Sequence, residues 1–186
     1  MAFKEYGNYD AVGLAELVRK KDVTARELLD EAIARNAKVD PQINAVVVKH
    51  YDYAERQIER GLPDGPFSGV PFLLKDLDPL EGTRTTFGAS VLKDFVAFHN
   101  GTLVQRFLDT GVSIFGKSSS PEFGLMPTTE SRLHGPTRNP WNPAHSSGVR
   151  PAARPRRWPP ASSLSRMPAT AAARSAFPPP LPACSA

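Results

Sequence analysis

The stretch Gly69-Val70-Pro71-Phe72-Leu73-Leu74-Lys75-Asp76-Leu77 is an apolar run of strand-like composition that ends on a lysine followed by an aspartate. A lysine at the end of a buried strand cannot spread its charge into water, so it is expected either to pair with a carboxylate or to lose its proton. In the first interpretation Lys75 leaves the core and forms a salt bridge with Asp76 or Asp78. In the second, the neutral Lys75 amine is a usable base. These nine residues leave both interpretations open.

Helix and strand patterns alternate on both sides of this stretch, which predicts an α/β architecture. Asp10 can cap a helix over residues 11–19, and Thr24 opens a capping box for a helix to about residue 37, which Asp40-Pro41 should end. Further strands are expected at residues 43–48 and 112–115, the second ending on Lys117, and further helices at residues 51–60 and 102–108. Residues 78–100 and 118–143 are expected to be mostly irregular loops.

Composition places the 186-residue chain among ordinary one-domain globular proteins, with 40% hydrophobic and 23% charged residues. The N-terminus lacks the apolar segment of a signal peptide, no stretch is long enough to span a bilayer, and the single cysteine, Cys184, cannot form an internal disulfide. We therefore expect a cytoplasmic protein without a membrane partner.

The net charge of +4 is unevenly distributed. Residues 150–186 contain six arginines and no Asp, Glu or Lys, so this segment carries +6 and residues 1–149 carry −2. The body of the chain therefore gives no electrostatic reason to expect nucleic acid as a partner.

Several motifs, taken in order and spacing, resemble the amidase signature family over about residues 9–148. The motifs are Gly69-Val70-Pro71 through Lys75-Asp76, Gly116-Lys117, Pro121-Glu122-Phe123-Gly124 and Asn139-Pro140-Trp141-Asn142-Pro143. The amino-acid sequence around Lys75 and before Trp141 is most similar to that of the 6-aminohexanoate-cyclic-dimer hydrolase branch. The resemblance implies an α/β/α fold around a mixed sheet, of which this chain holds the N-terminal portion.

The resemblance also implies hydrolysis of a small-molecule amide by a Ser–cis-Ser–Lys triad, without a cofactor or metal. Lys75 would be the catalytic residue, neutral in the core, and would accept a proton through a bridging serine from the nucleophilic serine. Lys117 is expected to be structural, or to contact other residues of the site rather than the substrate. His134 and His145 are expected to form loop hydrogen bonds, since this chemistry needs no histidine.

The family pattern breaks at one residue. Family members continue with a Gly-Gly-Ser-Ser-Gly-Gly segment that holds the cis serine, and about two dozen residues later with a Gly-Gly-Ser-Ile-Arg segment that holds the nucleophile. This chain begins that continuation with Ser146-Ser147-Gly148 and then becomes rich in Pro, Arg and Ala. We therefore divide it into residues 1–148, the N-terminal part of an amidase domain, and residues 149–186, a tail expected to be disordered.

A shift of reading frame accounts for the break. If the tail is back-translated and its codons are regrouped by one nucleotide, Gly-Ser-Ser-Gly-Gly can be read near Gly148 and Gly-Gly-Gly-Ser-Ile-Arg near Arg174, with third bases chosen freely. We hypothesise that one nucleotide was lost near the Gly148 codon, in the gene or in its sequencing. The cis serine would then fall at about position 150, now Arg150, and the nucleophile codon would straddle Ala173 and Arg174. The chain as written would be a truncated, inactive fragment.

Two alternatives remain from the sequence. One is the glutamyl-tRNA amidotransferase branch, which uses the same triad. The other is a non-catalytic protein whose basic tail binds anionic partners, although six arginines with only Trp158 and Phe177 as aromatics are a poor nucleic-acid platform. The substrate and the oligomeric state cannot be read from the sequence.

Overall fold

The computed structural model describes residues 3–147, and a three-stranded sheet lies at its centre. Its strands are β1 (Val46–Lys49), β2 (Pro71–Lys75) and β3 (Ser113–Ser118), in the order β1-β3-β2. β3 is parallel to β2 and antiparallel to β1. This mixed sheet confirms the predicted α/β class.

Helices cover both faces of the sheet, because the buried side chains of β2 and β3 alternate between two clusters. Leu73 and Phe115 pack with α2 (Ala25–Ile43) and α3 (Tyr51–Arg60) on one face. Phe72, Leu74 and Ile114 pack on the other face with Val104 of α4 (Thr102–Asp109). The result is the three-layered α/β/α arrangement that the resemblance implied.

The first two helices begin at the predicted caps. The Asp10 carboxylate accepts a hydrogen bond of 2.8 Å from Gly13 N at the start of α1 (Ala11–Lys20). Thr24 and Glu27 form the predicted capping box, since Thr24 Oγ1 accepts from Glu27 N at 3.2 Å and the Glu27 carboxylate accepts from Thr24 N at 2.9 Å.

The end of α2 corrects one prediction. The helix does not stop before Asp40-Pro41 but continues to Ile43, with Pro41 inside its last turns. Asn44 ends it in the left-handed conformation, and its N–H donates to Asp40 O at 2.7 Å. The Asp40 carboxylate also accepts from Ala45 N and Val46 N at 2.8 Å each. These bonds hold the last turn around Pro41, which has no N–H of its own to donate.

Two strand predictions also need correction. β1 begins at Val46 rather than at residue 43, because the extended helix occupies the intervening residues. β3 continues to Ser118, so Lys117 lies within the strand rather than at its end.

The region after β3 is less irregular than expected. Two small antiparallel pairs follow, made of β4 (Glu130–Ser131) with β5 (Gly135–Pro136) and of β6 (Arg138–Asn139) with β7 (Asn142–Ser146). β4, β5 and β6 have two residues each, which is too short to give an alternating sequence pattern. β7 has five residues but is exposed along most of its length, so its sequence has no alternation of apolar and polar residues either.

The described part of the chain leaves apolar surface exposed, as expected for a partial fold. Val91 and Leu125 are more than 80% exposed, and Phe98 and Trp141 are also mostly exposed. Within residues 3–147, β2 pairs on one side only. No helix in this range is long and apolar enough to cross a membrane. The proposed tail, residues 149–186, lies outside the described residues.

Candidate active site

Lys75 is the last residue of β2 and lies opposite Ser118 in the parallel ladder with β3. The four residues before it are buried, but Lys75 itself is exposed. The expectation that its amine sits in the core is therefore wrong for the described part of the chain. The reason is positional: within residues 3–147, β2 is an edge strand of the sheet and Lys75 is its last residue.

The salt-bridge interpretation of Lys75 does not hold either. Within residues 3–147, no carboxylate lies at ion-pair distance from its amine. The Asp78 N–H donates to Lys75 O at 3.0 Å. Burial raises the pKa of the Asp78 carboxyl, and the charge of Lys75 opposes that rise. The Lys75 amine therefore forms no ion pair with either aspartate, although its charge acts on Asp78.

Asp76 is completely buried and is held by the loop that follows β2. Thr86 donates to its carboxylate through both its backbone N–H, at 2.9 Å, and its hydroxyl, and Gly88 N donates at 3.4 Å. Burial alone would raise the pKa of Asp76, but the hydrogen bonds from His134, Thr86 and Gly88 outweigh it and hold the pKa below its usual range. Asp76 is therefore a buried carboxylate that stays ionised.

Lys117 is the lysine that is completely buried. Its Nζ donates to Asp78 O at 3.1 Å and to the Thr85 hydroxyl. Desolvation lowers the pKa of Lys117 to about 8, against the opposing attraction of Asp76 and Asp78. These contacts join β3 to the loop after β2 and agree with the interpretation of Lys117 as structural.

His134 joins the same region from the far end of the described chain. Its Nε2 lies 2.9 Å from the Thr86 hydroxyl and 3.7 Å from an oxygen of Asp76. Its backbone carbonyl accepts from Asn44 Nδ2 at 2.7 Å, and its N–H donates to Ser131 Oγ at 3.0 Å. His134 is thus a loop hydrogen-bonder, as predicted, whereas its link to Asp76 was not. The cluster of threonines after a strand-end aspartate was the signal that could have found this link.

Two serines follow β3 at the same end of the sheet. The hydroxyls of Ser119 and Ser120 are buried and have no hydrogen-bond partner within residues 3–147. Neither of them donates to the Lys75 amine in the structure, and the two serines that the resemblance requires fall in the part of the chain that is not described. In residues 3–147, no three His, Cys, Asp or Glu side chains are grouped so as to hold a metal ion.

The site therefore has two parts with different chemistry. One is a rigid, buried network around Asp76 and Lys117 that fixes the loop after β2. The other is an exposed amine on Lys75, directly beside that network along the chain. A buried charged network restrains the backbone.

Comparisons with known proteins match this part of the chain. A sequence model of the family Amidase matches residues 27–149. The 6-aminohexanoate-cyclic-dimer hydrolase of Paenarthrobacter ureafaciens is 42% identical over 142 residues, which are 75% of this chain and 28% of that protein. A Glutamyl-tRNA(Gln) amidotransferase subunit from Acidothermus cellulolyticus is 35% identical over 154 residues, covering 77% of this chain and 30% of that protein.

The fold also matches a solved structure of 6-aminohexanoate cyclic dimer hydrolase complexed with substrate. The TM-score is 0.71 at 40% identity, over 76% of this chain and 30% of that chain. The chain thus spans less than a third of the length of the relatives that it matches.

Proposed function

The chain belongs to the amidase signature family, and from that membership we propose that it derives from an enzyme that hydrolyses amide carbon–nitrogen bonds, with Lys75 as the catalytic base. The substrate would be a small molecule with an amide bond. The similarity to a 6-aminohexanoate-cyclic-dimer hydrolase makes a cyclic or linear amide of an ω-amino acid the first substrate to test.

The observation that carries this proposal is the state of Lys75. Its amine is at the carboxyl end of a parallel strand, a place where α/β sheets commonly bind ligands. It forms no ion pair within the described residues, and the neighbouring Asp76 is fully engaged by Thr86 and Gly88. A lysine at this place without an ion pair fits a base better than a structural salt bridge.

In the proposed mechanism, the serines of the restored frame complete the relay. The nucleophilic serine, encoded across Ala173 and Arg174, attacks the amide carbonyl as its proton passes to the serine near position 150 and on to the Lys75 amine. The proton then returns to the leaving nitrogen, and water releases the acyl group. The amine must be neutral to accept the proton, so we propose that the segments encoded in the restored frame cover Lys75 and desolvate it.

We further propose that the chain as written is inactive. The family match stops at residue 149, where the composition changes, and residues 150–186 supply neither serine segment in the frame given. Loss of the nucleophile removes nearly all covalent catalysis.

The test compares two versions of the gene. One is translated as written, and the other has one nucleotide restored in the Gly148 codon and is read through in the new frame. We expect the first to hydrolyse neither 6-aminohexanoate cyclic dimer nor simple acyl anilides. We expect the second to hydrolyse at least one of them and to lose about 10³-fold or more of kcat in Lys75→Ala. Lys93→Ala, at an exposed lysine, is the matched control.

Turnover by the 186-residue chain that disappears in Lys75→Ala would refute the proposed inactivity. A genomic sequence without a shift at codons 147–150, together with a tryptic peptide from residues 149–186, would refute a sequencing error. A frame-restored enzyme that is active but unaffected by Lys75→Ala would refute the assignment of the base.

A second candidate is supported by the 35% identity to a glutamyl-tRNA amidotransferase. In that case the frame-restored protein would act on a glutamyl-tRNA, and only when assembled with its partners, and would hydrolyse simple amides poorly. Binding of anionic partners by the arginines of residues 150–186, and a cytoplasmic location, remain predictions from the sequence.

A further inference from the structure

His134 joins the loop after β2 through a chain of hydrogen bonds whose direction can be assigned. Its Nε2 lies 2.9 Å from the Thr86 hydroxyl oxygen. That hydroxyl has a single proton, which it donates to the Asp76 carboxylate. The Thr86 oxygen accepts from Gly88 N at 3.2 Å, and toward His134 it can also only accept. Nε2 of His134 therefore carries a hydrogen, and His134 is a donor in a chain of bonds that ends on Asp76.

The backbone of His134 is held by the residue that ends α2. Asn44 Nδ2 donates to His134 O at 2.7 Å and to Pro136 O at 3.3 Å. The Thr137 hydroxyl donates to Asn44 O at 2.9 Å. Asn44 is itself fixed, because its own N–H closes the last turn of α2. The ring of His134 is therefore presented to Thr86 by a segment whose position is set by α2.

The same segment also fixes the last residue that the structure describes. The Ser147 N–H donates to Thr137 O at 3.0 Å, and the Thr137 N–H donates to Thr129 O at 2.9 Å. In the restored frame the cis serine falls at about position 150, shortly after Ser147. The contacts of His134 therefore connect the strand end that bears Lys75 to the start of the cis-serine segment.

We propose that His134 is a positioning residue for the proton relay. Through Thr86 and Asp76, its ring holds the end of β2 at a fixed distance from the serine near position 150. The Asp76 N–H donates to Ser118 O at 3.0 Å, directly after Lys75, so a shift of Asp76 moves the end of the strand. A displacement of about 1 Å between reacting groups can cost about 10²-fold in rate. This inference rests on the proposed function of Lys75, and His134 itself touches no reacting atom.

The first test measures hydrogen exchange in the 186-residue chain as it exists. His134→Phe keeps a planar ring but removes the Nε2 donor, whereas His134→Gln restores an N–H at about the same distance from the backbone. In His134→Phe we expect the Thr86 and Ser147 N–H groups to exchange about fivefold faster or more, as after the loss of one hydrogen bond. In His134→Gln both rates should stay within about twofold of the wild type.

The Ser113 N–H is the internal control, because it donates to Val70 O at the opposite end of β3 and reports on general opening of the sheet. Its exchange rate should be the same in the wild type and in both variants. Equal acceleration of Ser113, Thr86 and Ser147 in His134→Phe would mean a general loss of stability and would overturn the proposal. Unchanged exchange at Thr86 and Ser147 would overturn it as well.

The second test measures kinetics in the frame-restored enzyme with the same amide substrates. We expect His134→Phe to lower kcat about tenfold or more while KM stays within about twofold, because the relay is disturbed and the substrate contacts are not. His134→Gln should recover most of kcat. His99→Phe, at an exposed histidine, should leave both constants unchanged.

The two tests separate this inference from the proposed function. If the frame-restored enzyme hydrolyses no amide, the proposed function is wrong, and the exchange rates alone decide whether His134 holds the two segments together. If activity requires Lys75 but is unaffected by His134→Phe, the proposed function stands and the positioning role is overturned. A loss of kcat that His134→Gln does not recover would also overturn it, since the donor would not be the cause.

Discussion

Lys117 lies opposite Leu74 in the β2–β3 ladder, one position before Lys75, yet Lys117 is completely buried and Lys75 is exposed. Lys117 belongs to β3, the central strand of the sheet, which has β1 on one side and β2 on the other. Its amine donates to Asp78 O and to the Thr85 hydroxyl in the loop after β2. Lys75 lies on an edge strand and ends it. Two lysines on neighbouring rungs of one sheet are therefore expected to have different functions, one in stability and one in chemistry.

Replacing each lysine by methionine should separate the two functions in the chain as it exists. Lys117→Met relieves the cost of burying a charged amine, but it deprives Asp78 O and the Thr85 hydroxyl of a donor and leaves Asp76 without a nearby positive charge. We expect these losses to outweigh the relief, so the free energy of unfolding should fall by about 2 kcal/mol. Lys75→Met should change it by less than about 0.5 kcal/mol, as is usual for an exposed side chain. Urea denaturation at pH 7 measures both. Equal losses in the two variants would contradict this division.

Stability should rise between pH 8 and pH 10. The pKa of Lys117 is lowered from 10.5 to about 8 in the folded chain, so over this range the unfolded chain binds the proton and the folded chain does not. The cost of keeping Lys117 charged is present in full below pH 8 and is relieved as the pH rises, by up to about 1.4 kcal/mol per pH unit.

The measurement is a series of urea denaturation curves from pH 7 to about pH 9, below the ordinary pKa of tyrosine. Lys117→Met serves as the control, because the rise attributable to this lysine should be missing from it. The prediction would be contradicted if the free energy of unfolding changed with pH in the same way in the wild-type chain and in Lys117→Met.

Asp76 should make the fold sensitive to acid. Its pKa in the folded chain is lowered, with burial opposed by hydrogen bonds from His134, Thr86 and Gly88. Its contribution is therefore present above the unfolded pKa and is lost as the pH falls through the lower folded value. Asp76→Asn should lower the free energy of unfolding by about 2–3 kcal/mol at pH 7, since a buried, charged acceptor of hydrogen bonds is lost. It should also weaken the fall of stability with decreasing pH.

The matched control for Asp76→Asn is Asp64→Asn, at an exposed aspartate without an ion pair in the described residues. Unfolding is followed by circular dichroism from pH 2 to pH 7. The role assigned to Asp76 would be wrong if the two variants lost stability to the same extent.

Gly116 should tolerate no side chain. A Cβ at this position of β3 would lie 2.8 Å from Val48 O and 3.1 Å from Leu73 Cδ2, in contact with both neighbouring strands. Gly116→Ala should therefore cost about 2 kcal/mol or more through displacement of the ladder. Gly101→Ala, where φ is −65° and the nearest atom to a Cβ would be Pro79 Cγ at 3.4 Å, should cost no more than about 1 kcal/mol. Thermal unfolding of both variants tests whether the lack of space at Gly116 causes the loss of stability.

Local signals predicted much of this fold. The side chains of Asp10 and Thr24 cap helices by binding N–H groups three residues away, so the sequence predicts where α1 and α2 begin. Gly61 and Gly111 likewise marked the ends of α3 and α4. Each of these signals acts within one turn of chain, which is the range over which a sequence pattern determines geometry.

Features that depend on distant partners were not predictable in the same way. The burial of Lys117 and the exposure of Lys75 follow from the order of the strands, which their sequence neighbours do not encode. The role of Asp40 depends on two backbone N–H groups beyond Pro41, and that of His134 on a threonine 48 residues earlier. A cavity beside His50 is lined by residues 48–56 and 82–84, two segments that are separated in the chain and brought together only in the fold.

The order β1-β3-β2 also determines when the sheet can form during synthesis. Both outer strands pair with β3, which leaves the ribosome last of the three. Residues 46–75 therefore remain without a strand partner until then, while α2 and α3, whose bonds are local, can already form. The tail from residue 150 is translated only after β3. A nascent chain therefore contains β1, β2 and β3 before the composition changes at residue 150, so this sheet can begin to form before the tail has been made.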